Sequence, residues 1–154
     1  MQRKRVYAVS VTVTVIILIF ALTSCGQSYR EDDNSSNEPS NISTEDYAFL
    51  KDQFVRFSGI YNGLNNSPGT GEDVRTAYIA CQDVLDDIYR HDVSNNAEQL
   101  KNLLYEGINN QCNGFGCFSN EAICGSQKEA TRLLYSGNRI LKQFEDKMNS
   151  ITVN

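Results

Sequence analysis

The side chains of this chain whose type and spacing could do chemistry include five cysteines, a single histidine and a clustered trio of aspartates. Four of the cysteines, Cys81, Cys112, Cys117 and Cys124, fall in the second half; Cys25 stands apart at the end of an apolar run. A nucleophilic thiol needs a base within hydrogen-bond reach, and His91 sits at a helix end away from the cysteines in sequence. No Cys-x-x-Cys redox pair occurs. The spacing Cys112-x4-Cys117-x6-Cys124, completed by Cys81 or His91, is looser than that of thiolate-zinc sites, so zinc is the minor alternative to two disulfides. Asp83, Asp86 and Asp87 form an acidic cluster. Paired carboxylates do acid–base work in hydrolases, but Asp83 and Asp87 lie one turn apart beside Arg90, the pattern of a solvated helix face. Gly69-Thr70-Gly71 lacks the length and the lysine of a phosphate loop, and neither a Gly-x-Ser-x-Gly elbow nor a His-Glu-x-x-His pair is present. The expectation is therefore no catalytic residue, no metal and no cofactor. A binding or structural protein is the first reading, and a hydrolase using the acids of the second helix is the alternative.

The elements that must position these residues read as helices. Tyr47, Leu50, Phe54, Phe57, Tyr61 and Leu64 recur at three and four, the stripe of an amphipathic helix. Thr44 followed by Glu45 and Asp46 suits its start, and Asn65 to Gly69 breaks it. A second helix opens on the capping-box pair Thr70 and Asp73 and carries Val74, Tyr78, Cys81, Leu85 and Ile88 on one face. A third begins near Asn95 with Ala97, Leu100, Leu103, Leu104 and Ile108 inward. A fourth, capped by Ser126 and Glu129, carries Ala130, Leu134, Gly137, Leu141, Phe144, Met148 and Ile151. No strand-like alternation appears. The fold class is all-α: a small antiparallel bundle of about four helices, stapled by disulfides because its core is small.

The staples have a geometric preference. If the second and third helices form a hairpin turning near Ser94, Cys81 lies level with Ile108, and Cys112 is one turn beyond on the same face. That favours Cys81–Cys112, leaving Cys117–Cys124; the rival pairing is Cys81–Cys124 with Cys112–Cys117. Between the third and fourth helices, residues 109–118 contain two cysteines, two glycines, Phe115 and Phe118, and read as a tight loop. Such a loop is a candidate contact site through its aromatics; the competing reading has both rings capping the end of the bundle.

The first 24 residues have another character. Arg3, Lys4 and Arg5 precede an apolar run from Val6 to Leu22, and small polar residues follow, the layout of a secretory signal. Leu22-Thr23-Ser24-Cys25 resembles the lipobox of bacterial lipoproteins. The resemblance implies that Cys25 is acylated, that the chain is cut before it, and that a lipid anchor holds the protein to a membrane. Gly26 in place of Asp after the cysteine implies, for that family, the outer membrane facing the periplasm. An uncleaved transmembrane anchor is the alternative, since Val6–Ser24 is close to the length of a span. The segment Asn120-Glu121-Ala122 after the cysteines is similar to plasmid entry-exclusion lipoproteins, an implied variant of the binding role.

Organisation follows as signal 1–24, acylated cysteine and linker 25–44, and helical domain 45–154. The linker is rich in Ser, Asn and acids with Ile42 as its one aliphatic residue, too polar to offset its ordering entropy. A flexible coil of that length spans roughly 25 Å. Net charge is −5, and becomes −8 once residues 1–24, with three cations and no acid, are removed. An acidic mature chain argues against nucleic acid as a partner. The expected partners are the membrane, through the anchor, and a protein of the envelope.

Overall fold

The computed structural model describes residues 42–119 and 126–151. The signal, Cys25, residues 26–41 of the linker, Asn120-Glu121-Ala122 and Cys124 lie outside the described residues. Four helices follow in order: α1 (Thr44–Asn65), α2 (Gly71–Arg90), α3 (Glu98–Ser119) and α4 (Gln127–Ser150). Among the described residues there is no strand. The chain is a small helical bundle joined by a Cys81–Cys112 disulfide.

Local chemistry sets the helix starts. The Ser43 hydroxyl accepts the Asp46 amide at 3.0 Å, so the cap lies one residue before the expected Thr44. Thr70 and Asp73 cap α2 reciprocally: the Thr70 amide donates to the Asp73 carboxylate at 2.8 Å, and the Asp73 amide donates to the Thr70 hydroxyl at 3.2 Å. Ser126 caps α4 through the Glu129 amide, but the Glu129 carboxylate turns to Arg132 at 2.9 Å instead of closing the box. Gly69 has φ 69°, the left-handed conformation that lets the chain reverse between α1 and α2. The α2–α3 turn is held from α1: the Ser94 hydroxyl donates to the Asp46 carboxylate at 2.6 Å. Burial alone would raise the pKa of Asp46, but hydrogen bonds from Ser94 and Ser43 outweigh it and hold the carboxyl below its ordinary 3.8.

The expected stripes face one core. Leu50 and Phe57 of α1, Cys81, Leu85 and Ile88 of α2, Leu100, Leu104 and Ile108 of α3, and Leu134, Leu141 and Phe144 of α4 are all buried in it. Ile42, assigned above to the linker, is only 2% exposed; it joins the core immediately before the α1 cap, so the folded unit includes it.

Residues 109–118 are not a loop. α3 continues through them to Ser119, because its glycines serve packing and not turning. A Cβ on Gly107 would lie 2.8 Å from the Leu141 side chain, and one on Gly114 would lie 2.5 Å from that of Leu134. From the facing helix, a Cβ on Gly137 would meet the Gly107 carbonyl oxygen at 2.8 Å. The small residues let α3 and α4 approach closely enough for backbone to touch backbone, which offsets the propensity cost of glycine in a helix.

Candidate functional site

With α3 helical to its end, the cysteines take positions set by helix rise. Cys81 and Cys112 are fully buried, 5.8 Å apart at Cα and bonded across the α2–α3 hairpin, and the Cys81 sulfur lies 4.0 Å from the Ile108 carbonyl oxygen. The rival pairing of Cys81 with Cys124 is thereby excluded. Cys117 is also disulfide-bonded, and its expected partner Cys124 is outside the described residues. Cys81, Cys112 and Cys117 are therefore not thiolates, and the alternative zinc set loses its donors.

Phe115 and Phe118 do not stand on a projecting loop. Phe115 is 3% exposed, and Phe118 packs half-buried on the core. The contact loop fails because Cys112, Phe115 and Ile108 share the inward face of one continuous helix. Asp83, Asp86 and Asp87 are exposed on α2, with Asp87 paired to Arg56 at 2.6 Å and Asp86 to Arg90 at 3.4 Å. That is the solvated face expected of them. His91 stacks on Phe49 with ring centroids 3.6 Å apart, remote from the Cys81–Cys112 bridge in role: it caps the end of α2.

The surface feature with a shape is elsewhere. A groove of about 1280 Å³ opens between α1 and α4. Its floor is apolar, made by Phe54, Phe57 and Tyr61 of α1 with Leu134 and Leu141 of α4. The two helices come together at Phe54 and Phe144, with ring centroids 5.4 Å apart. Farther along α1, Tyr61 leans on Phe115 of α3, at 6.4 Å between ring centroids. Burial pushes the Tyr61 phenol above its ordinary 10.0, against the lowering effect of its hydrogen bond with Asn65, so the floor stays neutral. The α4 wall is pinned from behind by Gln111, fully buried, whose amide nitrogen donates to the Leu134 carbonyl at 2.8 Å and to the Asn138 side-chain oxygen at 2.7 Å.

The lip is cationic. Lys128, Arg132, Arg139 and Lys142 of α4 border the groove together with Tyr135, which is 60% exposed. α4 carries five cations against three acids, whereas α2 carries two against five, so the domain is electrostatically polarised despite its acidic total. Arg132 is paired with Glu129, and Lys142 with Asp146 at 3.0 Å. Lys128 and Arg139 have no acidic partner among the described residues. The sequence reading missed this ladder. Its signal was present as cations repeating at three and four along α4, but the apolar stripe of the same helix drew the whole interpretation. A groove with a greasy floor and a cationic lip can bind an amphipathic partner bearing acids; it holds one carboxylate, Glu145, and no pair positioned for hydrolysis. No helix among the described residues is long and apolar enough to cross a membrane. No protein-family model, curated protein or solved structure matches the chain.

Proposed function

We propose that this protein is a membrane-tethered lipoprotein of the bacterial envelope, anchored through Cys25, and that it works by non-catalytic binding. The observation that carries the binding half is the α1–α4 groove, with its apolar floor and the cationic lip of α4. The acids of α2 lie outside that groove and are exposed, which supports the binding reading over acid–base catalysis. The anchoring half rests on the lipobox-like Leu22-Thr23-Ser24-Cys25. Outer-membrane placement rests on Gly26.

Two measurements test the two halves separately. Cys25→Ser should abolish incorporation of labelled fatty acid and leave an uncut precursor or a released form; unchanged labelling would refute the anchor. A photo-crosslinking residue in place of Tyr135, on the lip, should give adducts in the native envelope, while the same residue in place of exposed Asp52 should give none. Equal yields at both positions, or none at Tyr135, would refute the groove as the contact surface.

A further inference from the structure

The solvent-facing ridges of α2 and α4 match one another at five of six positions. On α2 the exposed ridge runs Glu72, Thr76, Ile79, Asp83, Asp86, Arg90; on α4 it runs Lys128, Arg132, Tyr135, Arg139, Lys142, Asp146. Both step by four, three, four, three and four, the spacing that keeps residues on one helix face. Laid parallel and in register, the ridges set Lys128 against Glu72, Arg139 against Asp83, Lys142 against Asp86 and Asp146 against Arg90. Lys128 and Arg139, the lip cations without an acidic partner, fall opposite Glu72 and Asp83, which have no cationic partner among the described residues. Arg132, which falls opposite the uncharged Thr76, is already neutralised by Glu129. Asp86–Arg90 and Lys142–Asp146 are exposed pairs within a helix that exchange partners across the contact. The register also brings Tyr135 onto Ile79, which is 53% exposed; both belong to the few large apolar or aromatic side chains the domain leaves in water.

A single chain cannot use this match on itself, since α3 packs between α2 and α4. Two chains can. α2 and α4 run in the same direction along the antiparallel bundle, so a parallel α2–α4 contact requires two molecules standing the same way up. Tethering to one leaflet through the chain's N-terminal side brings copies together in a layer where that arrangement is open to them. We propose that copies of this protein anchored in the same membrane pack side by side, the α4 lip of one receiving the α2 ridge of the next. The contact is head-to-tail and leaves both outer ridges free, so it propagates as an open row and does not close into a dimer. This deepens the binding reading and rests on the anchor for the shared layer. A lone anionic headgroup fits the lip less well, because Lys128 and Lys142 at its ends are fourteen residues apart, about 21 Å of helix.

The test uses the protein as isolated from expressing bacterial membranes, prepared as a mixture of two isotopic forms, in phosphatidylcholine vesicles. Zero-length carbodiimide coupling should join Lys128 to Glu72 and Lys142 to Asp86 in mixed-isotope peptides. The yield should collapse in about 1 M salt, where screening acts within about 3 Å. The double variants Asp83→Lys with Asp86→Lys, and Arg139→Asp with Lys142→Asp, leave Lys128 and Glu72 in place and should each lower the Lys128–Glu72 yield roughly tenfold or more, because facing attractions become repulsions. Mixing the two reversed variants should restore it. Protein that floats with the vesicles but gives no α2–α4 coupling, or reversed variants that do not rescue each other, would overturn the row while leaving the anchor intact. Protein that does not float refutes the anchor, and the row with it. Coupling lost on moving to phosphatidylglycerol vesicles at the same ionic strength would assign the lip to lipid headgroups instead.

Discussion

Replacing Gly137 by alanine gives the most direct test of how this bundle is built. In an open helix the change stabilises by about 1 kcal/mol, since alanine has the higher propensity. Gly59 of α1 supplies that reference, because nothing lies within 4 Å of the position its Cβ would take. At Gly137 the new Cβ would sit 2.8 Å from the Gly107 carbonyl oxygen, 2.9 Å from the Gln111 Cγ and 3.0 Å from its amide nitrogen. The oxygen belongs to the α3 backbone and cannot swing aside, so relief requires α3 and α4 to separate. Separation in turn loosens the Leu134–Gly114 contact and stretches the Gln111 hydrogen bonds to Leu134 and Asn138. Overpacking of this kind costs about 1–3 kcal/mol, and a backbone clash belongs at the upper end. Against the propensity gain, Gly137→Ala should lose about 2 kcal/mol while Gly59→Ala gains about 1 kcal/mol. The difference between them, about 3 kcal/mol, cancels propensity and leaves packing. Urea unfolding followed by far-UV circular dichroism, with the disulfides kept oxidised, measures both. A Gly137→Ala protein as stable as its parent would refute the close-contact account of the α3–α4 interface.

Other perturbations report on separate parts of the fold. Replacing Cys81 and Cys112 together by alanine opens a crosslink spanning a sequence separation of 31 and should cost about 3–4 kcal/mol with helical content preserved, read by the same unfolding assay. Ile42→Ala should cost about 2–5 kcal/mol if the folded unit includes that residue, and a loss within experimental error would return it to the linker. Asp46 has a depressed pKa in the folded state, so its contribution is present at neutral pH and is lost as pH falls from about 3.8 toward the lower folded value. Asp46→Asn should therefore lower stability at pH 7 and flatten the acid limb of a stability–pH curve; parallel curves for variant and parent would contradict the Ser94 contact as its cause.

The four helices were legible in the chain because what specifies them is local. Leu50, Phe54 and Phe57 repeat at the helix period, and Thr70 with Asp73 form a cap within a single turn; neither needs a distant residue to be recognised. The pairing of Cys81 with Cys112 was legible for a related reason: in a hairpin of two regular helices, counting residues outward from the turn measures distance along both. The failures share an opposite cause. Gly114 and Gly116 read as turn residues because glycine breaks helices when nothing compensates, and the compensation, Leu134 in one case and Tyr78 in the other, comes from α4 and α2. Whether Phe115 was displayed or buried stayed open in the sequence because its burial depends on α3 continuing past Gly114. Ile42 read as linker because one apolar residue in a polar stretch has no periodic neighbours to announce it. The groove was the least visible of all: Phe54 and Leu141 lie on separate stripes, each well predicted, and the sequence says nothing about whether two such stripes close on each other. That is decided by the splay of α1 against α4, and splay depends on side-chain volumes at helix contacts far apart in the chain, where Gly107 and Gly137 draw α4 onto α3.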